Sequence, residues 1–139
     1  MSEIQVHCDK QILPSEFALL MESVGWGVAV DYDNVSVLQS FAHYPFVAHA
    51  RAEDGSLVGY VSAFSDEMAS TFIGELVVHP SFQRQGVGTR LLQAVESRYA
   101  GVPIYAQPFL DQQAFFLNNG YSLPRRPMSV VSKRNVTHA

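Results

Sequence analysis

Six consecutive residues, Gln83-Arg84-Gln85-Gly86-Val87-Gly88, hold the densest chemical information in this chain. They follow the apolar run Leu76-Val77-Val78 and precede Thr89-Arg90-Leu91-Leu92, where apolar residues begin to recur at helical spacing. A strand therefore runs into a glycine-bearing loop, and the loop opens a helix. The first N–H groups of a helix have no internal partners, and the helix dipole places partial positive charge on them. A phosphate set there meets ready donors. Gly86 and Gly88 lack a Cβ, so a ligand can approach the backbone closely. Gln83, Arg84 and Gln85 add side-chain donors, Arg84 being the best charge partner for a phosphate.

Two nucleotide-binding patterns find only weak support in the spacing. A P-loop needs Lys and then Ser or Thr after its second glycine, whereas Gly88 is followed by Thr89-Arg90. A dinucleotide fingerprint needs a third glycine, and position 91 is Leu. On these residues alone, an ordinary strand-to-helix turn holding two glycines remains open. Glu75 is the other chemical candidate. It interrupts an apolar strand, and alternation puts it on one face with Ile73 and Val77. Apolar surroundings raise a carboxyl pKa, which suits a base working near neutrality; a surface-facing glutamate on a half-exposed strand is the alternative. Asp66 and Glu67 in the preceding turn are fallback acids. His7, His43, His49, His79 and His138 show no metal-ligand spacing, so no metal is expected. His79 reads as part of a strand-end His-Pro turn. No G-x-S-x-G elbow supports a hydrolase, and the lone Cys8 allows no internal disulfide.

The elements that must position these groups are readable from period and punctuation. A first helix begins near Pro14-Ser15-Glu16 with the stripe Phe17, Leu20, Met21, and Gly25-Trp26-Gly27 breaks it. A second begins at Asp33-Asn34 and runs through Val37, Leu38 and Phe41 until Pro45 stops it. Three strands follow: Phe46 to Ala52, Leu57 to Phe64 and Thr71 to Val78, the first two joined by a tight turn at Asp54-Gly55. Short turns imply antiparallel pairing. Val87, Leu91, Leu92, Val95 and Tyr99 mark a helix ended by Gly101. Val102 to Ala106 is a short strand, Asp111 to Asn119 a further helix, and the chain from Tyr121 a final strand interrupted by Pro124 and Pro127. The strand–helix–strand connection implies one parallel pair, so the expected fold is α/β with a mixed sheet.

A chain of 139 residues fits one domain. Its 47% hydrophobic and 16% charged residues are a globular composition. A net charge of -4 argues against binding nucleic acid or an anionic membrane and is compatible with a cationic amine. No apolar run approaches the roughly 20 residues needed to span a bilayer. Met1 to Lys10 lacks a signal pattern, so the expected compartment is the cytoplasm.

Gln83-Arg84-Gln85-Gly86-Val87-Gly88 resembles the Q/R-x-x-G-x-G/A signature of the GNAT N-acetyltransferases. Leu76-Val77-Val78-His79-Pro80 and Thr89-Arg90-Leu91-Leu92 look like that family's flanking strand and helix. Phe115-Phe116-Leu117-Asn118-Asn119-Gly120-Tyr121 is similar to its later F-Y-x-x-x-G-F segment. The order of elements fits from about residue 13 to residue 134. The resemblance implies a single-domain, mostly antiparallel sheet flanked by helices, with one splayed parallel strand pair, Thr71 to Val78 and Val102 to Ala106. Acetyl-CoA would lie between those strands, its pantetheine arm on main-chain groups of Leu76, Val77 and Val78, its pyrophosphate on the N–H groups of Gln85 to Thr89.

The resemblance further implies direct transfer of the acetyl group to an amine. Only the neutral amine attacks a thioester, and with an amine pKa near ~10 little of it is neutral at pH 7. A base must take the proton, and Glu75 stands where the family often has an acid. A main-chain N–H near Val78 would polarise the carbonyl. The tyrosine that protonates the departing thiolate in the family falls at Phe116 here, and Phe109 stands near where an Asn is frequent. Tyr121, Tyr105 or water would then donate, Tyr121 being the catalytic candidate with a packed aromatic as its alternative. The segment Val24 to Asp33 would wall the acceptor pocket, with Trp26 and Tyr32 as substrate contacts beside Asp31 and Asp33. The expected acceptor is a small primary amine; a protein N-terminus or lysine, or a non-catalytic acyl-CoA sensor, are the alternatives. A homodimer through the C-terminal strand is open to such a chain.

Overall fold

The computed structural model describes residues 3–136. The backbone groups into two compact units that meet between Ala106 and Gln107. The first holds one five-stranded sheet in the order β1-β2-β3-β4-β5: Gln5–His7, Phe46–Arg51, Leu57–Ser65, Thr71–Val78 and Ile104–Tyr105. The first four strands pair antiparallel and β4–β5 is parallel. This is the mixed sheet that the sequence predicts. Strand β1 has no counterpart in the predicted elements, because three half-polar residues carry too short an alternation to register.

Helix α1, Pro14–Ser23, has proline in its first turn, and the Glu16 carboxylate accepts the orphan Leu13 N–H at 3.0 Å. Helix α2, Asn34–His43, is capped by Asp33, whose carboxylate accepts the Ser36 N–H at 2.8 Å. Pro45 excludes helical ψ at Tyr44, which leaves the helix at φ -71, ψ 128. Phe17, Leu20 and Met21 of α1 with Val37 and Phe41 of α2 cover one sheet face through Val47, Tyr60 and Val77. Helix α3, Val87–Arg98, covers the other with Val87, Leu91 and Val95 against Ala48, Ala50, Val58 and Val61. Gly59 makes that approach close. A Cβ there would stand 2.9 Å from Leu91 and 3.1 Å from Val87. Because Gly59 pairs with Val78, the same contact sets the start of α3 beside the end of β4.

The parallel pair is short. Only Thr71 and Phe72 are matched, to Ile104 and Tyr105, and β4 then runs on to Val78 without a partner on that side among the described residues. The strand expected over Val102 to Ala106 is thus two residues long.

The second unit contains a 3-10 turn, Leu110–Gln112, and helix α4, Gln113–Asn118, which stops where Gly120 adopts φ 89. The final strand expected from Tyr121 does not form among the described residues: 122–136 are exposed and unpaired. Pro124 and Pro127 carry no N–H for a ladder, which accounts for the break.

Candidate functional site

Strand β4 is bent by a bulge. Ser62 of β3 faces Glu75, and the next residue, Ala63, faces Ile73, so Gly74 is the extra residue. This corrects the simple alternation. Glu75 shares the α1–α2 face with Val77, whereas Ile73 is turned to the α3 side with Leu76 and Val78. Three groups hold the bulge. The Glu75 N–H donates to Ser62 Oγ at 3.1 Å. A Cβ on Gly74 would stand 2.7 Å from Ser62 Oγ and 2.9 Å from the Tyr44 ring, so only glycine fits. Ser62 itself is fully buried.

Glu75 is therefore held in an aromatic setting. The Tyr44 hydroxyl donates to Glu75 Oε1 at 3.4 Å. Burial raises the Glu75 carboxyl above its ordinary value, and the Tyr44 bond opposes that rise. Burial also raises the Tyr44 hydroxyl. Tyr32 is raised by burial and, next, by the negative charge of Glu75, which places it within electrostatic reach of that carboxylate. The Tyr32 ring meets Phe17 edge-on, and its hydroxyl donates to the Trp26 carbonyl. Trp26, between Gly25 at φ 79 and Gly27 at φ 86, is partly exposed and joins neither core cluster. The Tyr60 hydroxyl is buried on the same face and meets no hydrogen-bond partner of good geometry among the described residues. Sequence reasoning missed Tyr44 and Ser62. The one available signal was Tyr44-Pro45, a residue that cannot continue the helix and so must point elsewhere.

Beyond Glu75, the His79 N–H donates to the Val58 carbonyl at 2.8 Å. This fixes the phase of the ladder: Leu76 and Val78 direct their main-chain groups to the open edge of β4, while Val77 pairs with Tyr60. Val77 is buried in the α1–α2 core. Of the three expected contacts, Leu76 and Val78 are the ones that present edge groups.

The loop after β4 is a 3-10 turn, Pro80–Phe82, in which His79 Nδ1 accepts the Ser81 N–H at 3.1 Å. Arg84 and Gly86 take left-handed conformations, φ 63 and φ 83. Gly86 caps α3 without any side-chain bond, and a Cβ there would meet nothing within 4 Å. Gln83 and Gln85, expected as ligand donors, instead brace the loop in this structure: their amides donate to Val78 O at 3.0 Å and Ser81 O at 3.2 Å. No side chain among the described residues pairs with exposed Arg84. Val87 and Gly88 are buried and Thr89 is half-buried at the helix start. Dipole, left-handed loop and Arg84 together fit a diphosphate.

The fallback acids are committed elsewhere. Asp66 accepts the N–H groups of Met68, Ala69 and Ser70, and Glu67 pairs with Arg98 at 3.1 Å. In the second unit, Tyr121 packs edge-on to Phe116 at 5.5 Å, its N–H donating to the Phe116 carbonyl. Tyr105 stacks on Phe72. Cys8 is exposed. No three acidic, histidine or cysteine side chains are grouped to hold a metal among the described residues. His138 lies outside them. No described helix is long and apolar enough to cross a membrane.

Comparison with known proteins agrees with this geometry. The mycothiol acetyltransferase of Kineococcus radiotolerans is 45% identical over 56 residues, 39% of this chain and 18% of that protein. The chain thus matches less than a fifth of that relative's length. A GNAT family acetyltransferase of Streptococcus pneumoniae superposes with a TM-score of 0.71 at 21% identity, covering 95% of this chain and 100% of that one. AAC(6')-Iy, in complex with the bisubstrate analogue CoA-S-monomethyl-acetylneamine, gives a TM-score of 0.71 at 16% identity, with 96% of this chain and 100% of that one covered. At these identities the structural likeness carries the fold alone. The model of the Acetyltransferase (GNAT) family matches residues 16–120, and with three quarters of its length inside that match this chain belongs to the GNAT family.

Proposed function

We propose that the chain transfers the acetyl group of acetyl-CoA to a primary amine of a small molecule. The observation that carries this reading is the sequence of three features along one strand: a bulge presenting Glu75, an edge where the main-chain groups of Leu76 and the Val78 N–H are open while Gln83 takes the Val78 carbonyl, and a helix start without a side-chain cap preceded by left-handed Arg84 and Gly86. Glu75 and Val78 are three positions apart along the strand, about 10 Å. The anionic end of the thioester would rest on the N–H groups from Gln85 to Thr89 with Arg84. The acyl-bearing arm would follow the edge groups of Leu76 and Val78. The family match crosses from the first unit into the second, which supports treating both as one transferase domain.

The amine nitrogen, once neutral, attacks the thioester carbonyl carbon. A C–N bond forms, the carbonyl becomes an oxyanion, and the Val78 N–H on the open edge is placed to receive it. The C–S bond then breaks with its electron pair going to sulfur. The proton lost by nitrogen goes to Glu75, directly or through one water. A thiol pKa near ~8.5 makes the thiolate a fair leaving group, so its protonation by water suffices, and Tyr121 is the side-chain candidate to be tested. Trp26 and Tyr32 wall the acceptor side in this reading.

Replacing Glu75 by Gln tests it. The rate of thiol release near neutral pH should fall about a hundredfold or more, and the acidic limb of the pH–rate profile should disappear. Glu75 has a raised folded pKa, so its ionisation costs stability as pH rises above the ordinary 4.5. Glu75→Gln should therefore not lower the melting midpoint at pH 7.5. An unchanged pH–rate profile would remove Glu75 from the mechanism. Turnover confined to peptides would move the acceptor to protein, and tight acetyl-CoA binding without turnover of any amine would leave a sensor.

A further inference from the structure

The sheet face that carries Glu75 continues past it. Two residues beyond Ser62 on β3 stands Phe64, directly opposite Phe72 of β4, which is itself opposite Tyr105 of β5. The Gly74 bulge is what brings Phe72 to the same face as Glu75. These side chains are 46%, 43% and 47% exposed. The Phe72 and Tyr105 rings stack with centroids 5.4 Å apart. Tyr44 closes the row: its ring lies 4.6 Å from Phe64, and its hydroxyl reaches Glu75. Single exposed aromatics are ordinary, but four in a row abutting a half-buried carboxylate form a surface shaped for a ligand.

We propose that this shelf binds the body of the acetyl acceptor, and that the acceptor is a primary amine joined to a flat aromatic group by a short carbon linker. The inference rests on the transferase reading of Glu75. Charge complementarity selects the ligand. The carboxylate and the electron-rich ring faces attract an ammonium, while the rings bury an aromatic body. Spacing sets the linker. The Phe64–Phe72 pair and the Ser62–Glu75 pair are two residues apart along β3, about 7 Å. That separation suits a ring and a nitrogen with two or three carbons between them. Amino sugars carry hydroxyls that Phe64 and Phe72 cannot satisfy, so the shelf disfavours them.

The test uses the full chain with 2-phenylethylamine and glucosamine. Calorimetry in the presence of CoA should detect 2-phenylethylamine, and Phe64→Ala and Phe72→Ala should each weaken it about fivefold. Its KM should rise by the same factor while the KM for acetyl-CoA stays fixed. Phe64→Leu, which keeps apolar bulk at a half-exposed position, should show a smaller loss. Glucosamine should have a lower kcat/KM than 2-phenylethylamine. Preference for glucosamine, or binding of 2-phenylethylamine indifferent to both alanine variants, would overturn the proposal. So would a dimer in sedimentation that both variants dissolve, since a second copy would then cover the shelf. Binding of 2-phenylethylamine that depends on Phe64 and Phe72, without thiol release from any amine, would keep the ligand class and sink the transferase reading instead.

Discussion

The Glu75 carboxylate is set by its burial and by one neighbouring hydroxyl, that of Tyr44. Burial alone raises its pKa, and the Tyr44 hydroxyl stabilises the ionised form against that rise. Tyr44→Phe keeps the ring and removes only the donor. The acid limb of the pH–rate profile should then move to higher pH, and direct titration of the Glu75 carboxyl by NMR should move with it. A shift downward would contradict the observed direction of the Tyr44 bond. The change should leave the melting midpoint within a few degrees, since Tyr44 is only half-buried and its ring contact with Phe64 survives.

At the scale of the element, strand β4 does three jobs because it is irregular. Its bulge reverses the side-chain alternation, so Glu75 and Phe72 share a face although they are three positions apart. Its early divergence from β5 leaves edge groups free. Its end is tied to the start of α3 through Gly59. Gly74→Ala should be costly, because the new Cβ would collide with Ser62 Oγ and the Tyr44 ring. We expect a loss of about 1–3 kcal/mol in denaturant unfolding. Turnover should fall beyond what stability explains, since both colliding groups hold Glu75. Gly74→Ala with unaltered stability and rate would mean that the bulge relaxes freely.

Across the whole molecule, the groups titrating around β2 act on stability with the opposite sign to Glu75 on β4. His49 on β2 is 3% exposed, its Nε2–H donating to Asp9 at 2.7 Å while Arg51 donates to Nδ1 at 3.1 Å. Arg51 also grips both Glu16 oxygens at 2.7 Å, which ties α1 to the sheet. Burial lowers the His49 pKa below its ordinary 6.5, and the Arg51 bond lowers Glu16 below 4.5. Between its folded value and 6.5, His49 binds protons more readily when unfolded. Stability should therefore decline as pH falls below about 6.5, and decline again as Glu16 titrates below 4.5. His49→Gln offers the same donor and acceptor without titrating, so it should flatten the first decline in melts between pH 7.5 and 5.5. A decline of equal depth in the variant would exclude His49 as its cause.

The sequence by itself determined the local features: Pro14 and Asp33 at helix starts, Pro45 and Gly120 at helix ends, the tight turn at Gly55, and the strand, loop and helix from Thr71 to Arg98. Each depends on neighbours in the chain, through dihedral limits and period, so composition and spacing suffice. The Gly86 loop was legible for the same reason. Tertiary structure alone decided which face Glu75 shares, because a bulge is set by pairing between strands and leaves no trace in alternation. It also decided that Tyr44 and Ser62 flank Glu75, and that the Gln83 and Gln85 amides donate to Val78 O and Ser81 O. These are contacts between residues 13 and 31 positions apart, or choices among competing acceptors. The final strand failed for a related reason: apolar residues after Tyr121 signal a strand, but a ladder also needs N–H donors that Pro124 and Pro127 lack. A one-dimensional pattern records what a residue prefers, whereas pairing and packing settle what it meets.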